Sequence, residues 1–325
     1  MKETSRKTSG VFWAILALLI LLPFFLSKAY LHLAVIIGVH AILALSLGMV
    51  VGFVGQLSLC HAGFYGIGAY TSALLTFSHW PFWLALPAAG IISGLFGLLI
   101  GLPALKTRGI YFAITTLSFG VIMNIMLNNW VSLTNGPDGL SGLALPDPIP
   151  LWAKTSISFN TPRNYYFLVG VFLLFTIFVC RRLLDSRVGR AFRGVRDNEV
   201  LAECLGIRAL RYKLTAFTIG AIFAGLAGSL YAHYLRYICP RDFSFAESFD
   251  LLVMVVVGGA QTILGPIVGA LFILALPKFF GFEPVYGRVA FGIILVVVMI
   301  YMPRGIVGSF QKGFPSPKGG AHGPS

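Results

Sequence analysis

Apolar stretches long enough to cross a bilayer recur along the whole chain and constrain its fold more than any other feature. They lie near residues 11–26, 29–51, 57–77, 82–104, 109–129, 164–180, 214–235, 248–263, 265–280 and 286–303. A helix needs about 20 mainly apolar residues to cross the hydrocarbon core. Only 11% of the 325 residues are charged, against about 25% in soluble domains. The sequence therefore predicts an all-α integral membrane protein, a polytopic helical bundle of about ten transmembrane segments with eight to eleven as the range.

Glycines crowd one region in each half of the chain. Six lie between 48 and 68, and four lie between 258 and 269. Pairs four residues apart allow close helix packing, and such pairs occur at 48/52, 90/94, 97/101 and 265/269. The eighth and ninth apolar stretches are also short. Interrupted helices at corresponding places of two halves are typical of inverted-repeat transporters, so we expect an inverted repeat with short or broken helices, although no residue-level repeat is evident.

The charge distribution predicts the topology. The net charge of +13 would suggest nucleic acid as a partner of a soluble protein, but basic residues in cytoplasmic loops also orient membrane helices. With both termini cytoplasmic, the inner segments carry 17 Lys and Arg residues and the outer segments carry 7. We therefore expect a multi-pass protein of the bacterial inner membrane with both termini inside and no role in binding nucleic acid. Residues 1–312 are interpreted as a single transmembrane domain and residues 313–325 as a disordered tail.

Two polar loops are long enough to have functions of their own. The outer one, 130–163, is rich in Gly, Pro, Asn and Asp, which predicts a compact, ordered lid. The inner one, 181–213, holds nine basic and four acidic residues and is predicted to contain two short helices. Asp197 or Asn198 is expected to cap the second, and Gly206 to end it. Two interpretations remain open: simple anchoring, or docking of a soluble partner on an apolar ridge formed by Val200, Leu201 and Leu205.

Residues that could carry chemistry are scarce. No phosphate-binding loop, nucleophile motif or cysteine/histidine metal spacing is present, so we expect no catalytic residue, no metal and no cofactor in this chain. Glu247 and Asp250 are expected near an outer membrane boundary. The absence of carboxylates within the spans argues against a secondary carrier, and the missing nucleophile or metal argues against an enzyme. His61 is the candidate for a polar group lining a path, with simple helix packing as the alternative.

Several motifs resemble the permeases of branched-chain amino acid ABC transporters, most closely the LivM-type subunit. They follow one another along nearly the whole chain: GQLSLCHAGFYGIGAY at 55–70, RGIYFAITTL at 108–117, TNGPDGLSG at 134–142, the segment 189–207, VGGAQT at 257–262, GPIVGA at 265–270 and PRGI at 303–306. Cys60 departs from the expected glycine, but a small residue there preserves close packing.

The resemblance implies partners and roles. The partners would be a second, LivH-type permease, two ATP-binding subunits that carry the ATP and Mg, a periplasmic substrate-binding protein and the lipid bilayer. Coupling to the ATPase would fall to residues of the inner loop: Arg190, Arg193, Arg196, Asp197, Glu199, Leu201, Glu203 and Gly206. A translocation path would use polar groups of the spans: Ser58, His61, Tyr70, Thr115, Thr116, Asn124 and Gln261. The binding protein would dock on the outer loops, at Asn135, Asp138 and Arg241.

The resemblance also implies a substrate. Leucine, isoleucine and valine are expected, delivered by the binding protein. A zwitterion with an apolar side chain needs few fixed charges along its route, and polar groups with helix-end dipoles would suffice. A neutral amide such as urea would be served equally well, and some relatives are associated with aromatic acids, so these substrates remain the alternatives.

Overall fold

The computed structural model describes residues 27–107, 109–151, 155–280 and 305–310, together with the isolated residues 23 and 292. Five helices in this part of the chain are long and apolar enough to cross a membrane. The predicted spans 11–26 and 286–303 and the tail 313–325 lie outside the described residues. The remaining predicted spans all correspond to helices, which confirms an all-α polytopic bundle.

The described part of the bundle contains five long helices and three shorter apolar ones. The long ones are α1 (Lys28–Gly48, extended by a π-helical turn, Met49–Phe53), α3 (Phe82–Ala104), α4 (Ile110–Asn129), α6 (Pro162–Asp185) and α9 (Ala209–Leu235). Shorter apolar helices are α2 (His61–Phe77), α10 (Phe245–Gly258) and α11 (Leu264–Phe280). The last described helix is α12, Gly305–Phe310.

Two breaks in the helices enter the bundle from opposite ends. Residues 54–60 are non-helical between α1 and α2, so the prediction of a continuous span from 57 was wrong for its first four residues. A second irregular segment, 236–244, separates α9 from α10 and contains a short strand, β4 (Tyr237–Ile238), and the 3-10 turn Pro240–Phe243. We call these segments the first and second break.

The two helix–break–helix units run in opposite directions. His32 of α1 meets Tyr234 near the end of α9, whereas Gly220, nearer the start of α9, meets the Ser46 carbonyl late in α1. Therefore α1 and α9 are antiparallel. The two shorter helices are antiparallel to each other as well, because α2 is parallel to α9 and α10 is parallel to α1. This arrangement agrees with the expected inverted repeat of broken helices.

The described part of the outer loop consists mainly of turns and short strands and not of a long helix, as predicted. It contains the one-turn helix α5 (Val131–Thr134), the 3-10 turn Gly136–Asp138 and the short strands β1 (Leu140–Ser141), β2 (Ile149–Leu151) and β3 (Thr155–Ile157). Antiparallel pairing joins β2 to β3 within the loop and β1 to β4 of the second break. The loop is thus fastened to the second break by backbone hydrogen bonds.

The inner loop contains the two predicted helices, α7 (Arg187–Asp197) and α8 (Glu199–Cys204). Asn198 caps α8 by accepting a hydrogen bond from the Leu201 amide, and Gly206 ends it in the left-handed conformation. Phe192 and Val195 bury the apolar face of α7 beneath the bundle. The predicted local structure is confirmed.

Small residues set the spacing of the central helices. The glycines of α3 at 90, 94, 97 and 101 all face α9, and Gly68 of α2 packs directly against the backbone of Gly225 in α9. Without a hydrophobic force between helices in lipid, such close packing is what holds them together. Helix α9 therefore forms the centre of the bundle, in contact with α1, α2 and α3.

We expect Gly68→Ala to destabilise the protein, because the new methyl group meets the Gly225 backbone, which cannot yield as a side chain can. Overpacking of this kind costs about 1–3 kcal/mol. The matched control is Gly170→Ala in α6, where a methyl group meets nothing within 4 Å. Thermal unfolding in detergent should show a lowered midpoint for the first variant only, and equal midpoints would contradict the packing.

Candidate functional site

The two shorter helices begin close together inside the bundle. The backbone N–H of Ala62, in the first turn of α2, donates to Oγ of Ser248, in the first turn of α10, at 3.1 Å. The residues that precede the two helices, Cys60 and Ser244, do not cap them with their own side chains. Because each N-terminus carries a partial positive charge, the two breaks bring two such charges to one place in the bundle.

A narrow pocket, with no room for a water molecule in this conformation, lies at this junction. It is lined by the N-terminal residues of α2 and α10 and by one face of α4: Leu59, Ala62, Gly63, Leu117, Gly120, Val121, Phe243, Ser244, Phe245 and Ser248. Most of these groups are apolar, and the polar ones belong to helix starts. The pocket therefore joins an apolar wall to a weakly positive end.

Three of the predicted path residues meet at the first break. Ser58 Oγ is 3.5 Å from Nδ1 of His61, and Thr116 Oγ1 accepts a hydrogen bond from the Leu59 amide at 3.1 Å. All three polar side chains are fully buried. Thr116 therefore satisfies the backbone of the break, while Nε2 of His61 has no hydrogen-bond partner among the described residues.

The other predicted path residues are spread over the bundle. Asn124 donates to the Pro240 carbonyl at 2.6 Å and thereby supports the second break. Tyr70 lies two turns along α2 beside Phe243, Thr115 is partly exposed on α4, and Gln261 is exposed in the turn between α10 and α11. The structure thus brings Ser58, His61 and Thr116 together, but it does not place Gln261 with them.

One buried ion pair was missed by the sequence analysis. Nε2 of His40 lies 3.1 Å from Oε1 of Glu247, and His40 is the middle residue of the 26-residue helix Lys28–Phe53. The expectation that Glu247 lies near a membrane boundary was therefore wrong, because the second break carries the start of α10 into the bundle. A signal was available: a histidine in the middle of a span needs a polar partner.

The inner loop is fastened to the bundle by three of its charged residues. Arg193 donates to the Leu184 carbonyl at 2.9 Å, and Arg196 donates to the Gly52 carbonyl at 3.2 Å. Glu199 accepts from Lys213 at 2.7 Å, and this lysine, only 2% exposed, was not singled out in the sequence. These side chains face the protein's own helices, so they hold the loop in position.

The rest of the predicted coupling residues face outward. Arg190, Asp197, Glu203 and Gly206 are exposed, although Asp197 also pairs with Arg196 at 2.9 Å. The apolar ridge of α8 is exposed too, at 60% for Val200, 58% for Leu201 and 74% for Leu205. The structure thus exposes, in an otherwise charged loop, the three apolar side chains of the ridge that the sequence predicts.

The predicted outer docking residues lie at the opposite end. Asn135 adopts the left-handed conformation and its side chain donates to the Gly139 carbonyl at 2.9 Å, which shapes the turn. Asp138 and Arg241 are exposed, and the Asp138 carbonyl accepts a hydrogen bond from the Tyr237 hydroxyl at 3.2 Å. Since β1 pairs with β4, these residues belong to one joined surface.

Comparisons with known proteins agree on one family. The family model described as the permease component of the branched-chain amino acid transport system matches residues 29–299. The chain is 36% identical over 312 residues to the high-affinity branched-chain amino acid transport system permease protein LivM of Salmonella typhimurium, covering 90% of this chain and 73% of that protein. The LivM protein of Escherichia coli is 35% identical over 328 residues, with 95% and 77% covered.

A second type of relative is more distant. The permease protein LivH of Salmonella typhimurium is 29% identical over 288 residues, covering 83% of this chain and 91% of that protein. No solved structure matches the chain.

We expect Glu199→Gln to loosen the inner loop, because it leaves the buried ammonium group of Lys213 without its anion. Removing one partner of a buried ion pair costs about 3–5 kcal/mol. Limited proteolysis should cleave the segment 198–208 faster in this variant than in the wild type. Glu203→Gln, an exposed change on the same helix, is the control, and faster cleavage in both variants would contradict the role of the pair.

Proposed function

The chain belongs to the branched-chain amino acid transport permease family, and from this premise we propose that it is the LivM-type membrane subunit of an ATP-binding cassette importer. It would form the translocation path together with a second, LivH-type permease. Two ATP-binding subunits would hydrolyse the ATP, with Mg, outside this chain. A periplasmic binding protein would deliver leucine, isoleucine or valine. The observation that carries the proposal is the match to LivM proteins over most of both chains.

The two ends of the bundle support the proposed orientation. The inner loop holds nine of the 24 basic residues at the end where α6 stops and α9 begins, and basic residues favour the cytoplasmic side. The joined surface of the outer loop and the second break lies at the other end. With the inner loop in the cytoplasm, the outer surface faces the periplasm, where a binding protein can reach it. Both termini would be cytoplasmic with a membrane crossing by the apolar stretch 11–26, as its sequence predicts.

The inner loop has the features of an ATPase contact. Its exposed ridge on α8 supplies apolar area, and the charges around it supply orientation. Arg193, Arg196 and Glu199, which contact the bundle, would then transmit movement, while Leu201, Leu205 and Glu203 would contact the ATPase. ATP-driven closure of the ATPases would shift the permease between its states through differential binding to the loop.

Uptake by the complete complex tests the function. Liposomes containing both permeases and both ATPases, supplied with the binding protein and internal ATP, should accumulate radiolabelled leucine, and vanadate should stop the accumulation. Omitting this subunit is the control. Uptake of urea or an aromatic acid in place of leucine would replace the proposed substrate, and uptake that persists without the ATPases would overturn the ATP-driven mechanism.

Two variants distinguish residues that contact the ATPase from residues that transmit its movement to the bundle. Leu205→Asp should weaken ATPase binding about tenfold, because it puts a charge into an apolar contact. Arg196→Glu should keep the ATPases bound but lower the leucine imported per ATP, because the link to the Gly52 carbonyl is lost. Co-purification and coupled uptake measure the two effects. Asp185→Asn, exposed at the end of α6, should change neither, and identical behaviour of the two loop variants would contradict the division of roles.

A further inference from the structure

The ion pair of His40 and Glu247 belongs to a larger polar group inside the bundle. Tyr65 of α2 and Tyr231 of α9 place their rings 6.4 and 6.5 Å from the His40 ring, and their own rings are 5.3 Å apart. Asp250 and Asp242 lie close enough to Glu247 to interact with it electrostatically. We call the group of His40, Tyr65, Tyr231, Asp242, Glu247 and Asp250 the acidic–aromatic cluster.

The cluster holds more negative than positive groups. Nδ1 of His40 is 2.9 Å from the Ile36 carbonyl, an acceptor, so Nδ1 carries a hydrogen. Nε2 lies 3.1 Å from Oε1 of Glu247, so a protonated His40 balances the charge of this carboxylate and the pair carries no net charge. Asp242 and Asp250 remain, and His40 is the only ion-pair partner that the described residues give to the three carboxylates.

One hydroxyl in the cluster has nothing to bind. The Tyr65 side chain is 1% exposed, and its hydroxyl has no hydrogen-bond partner among the described residues. A buried polar group left unpaired is costly, and in a membrane bundle water does not relieve it readily. The Tyr65 ring packs against Tyr231 and Phe243, and the carboxylates of Glu247 and Asp242 act on its hydroxyl electrostatically, so a donor group bound beside Tyr65 would satisfy the hydroxyl.

We propose that the acidic–aromatic cluster binds the α-ammonium group of an amino-acid substrate, an inference that rests on the proposed function. An ammonium group has three donors and one positive charge. It complements carboxylates and the Tyr65 oxygen together, and the faces of Tyr65 and Tyr231 attract a cation. In the empty protein His40 serves as the counter-ion of Glu247, and the substrate takes over that role.

The neighbouring pocket has groups that would complement the rest of a zwitterionic substrate. Phe243 lines this pocket and also contacts Tyr65, with ring centroids 5.0 Å apart. The pocket therefore adjoins the cluster. It must widen to admit a substrate, and its apolar wall and helix N-termini would then face an aliphatic side chain and a carboxylate. A urea molecule carries no charge for the cluster to bind, and an aromatic acid would bring a further negative charge. The cluster thus favours amino acids over both alternatives.

The charge of Glu247 is tested in the reconstituted complex by measuring leucine imported per ATP hydrolysed. Glu247→Gln keeps the shape but removes the charge, and it should lower this ratio about tenfold, the effect of a lost charge-assisted hydrogen bond. Glu247→Asp keeps the charge and should retain most of the ratio. Equal ratios in the wild type and the Gln variant would overturn the proposal and leave the proposed function standing.

The Tyr65 hydroxyl allows a matched comparison with a structural tyrosine. Tyr65→Phe removes a hydroxyl without a partner, so thermal stability should be unchanged or raised while import per ATP falls about threefold. Tyr165→Phe removes a buried hydroxyl that donates to the Leu230 carbonyl at 2.6 Å, so it should lower stability and leave import per folded complex unchanged. If the Tyr65 and Glu247 variants lose thermal stability in proportion to their loss of import, the cluster serves only to stabilise the fold and the proposal is wrong.

Import by the wild-type complex distinguishes a failure of this proposal from a failure of the proposed function on which it rests. Failure of the wild type to import any branched-chain amino acid would overturn the proposed function itself, and the cluster's assignment with it. Import by the wild type that is insensitive to both variants would overturn the cluster's assignment alone.

Discussion

The architecture depends on satisfying backbone hydrogen bonds where two helices are interrupted inside the membrane. Unpaired N–H and C=O groups are not tolerated in lipid, so a break must find partners within the protein. The first break obtains them from Thr116 and, at the start of α2, from Ser248. Asn124 serves the second break. Several polar side chains in the spans therefore have a structural role, because they satisfy the backbone groups of the breaks.

The close packing of small residues makes these supports possible. Because α2, α3 and α9 approach through glycines, short side chains such as serine and threonine can reach the neighbouring backbone. Ser93 of α3, for example, donates to the Phe64 carbonyl of α2 at 3.1 Å. The same close packing holds α9 against α1, α2 and α3. Hydrogen bonding of the backbone by short side chains thus depends on the close packing that the glycines allow.

Much of the fold could be predicted from the sequence, because membrane helices are recognisable from the length and hydropathy of their apolar stretches. The inner loop could also be predicted, since capping by Asn198 and termination at Gly206 are local effects. The meeting of His40 with Glu247 could not, because it depends on how deeply the second break carries α10 into the bundle. A prediction from hydropathy uses only the order of residues along the chain, and it assumes that each span begins at a membrane surface. A re-entrant segment violates that assumption, so the depth of Glu247 was misjudged.

The inner loop and the first break are physically continuous. Arg196 binds the Gly52 carbonyl within the π-helical turn at the end of α1, where the helical hydrogen bonding is already altered. The break follows this turn at once and leads to Ser58 and His61, and then to the junction of α2 with α10. Under the proposed coupling, a movement of α7 would act first on this turn of α1 and then on the residues around the pocket. The glycine at position 55, whose left-handed conformation lies against Arg196, allows the chain to turn at this point, so a single short segment joins the loop to the centre of the bundle.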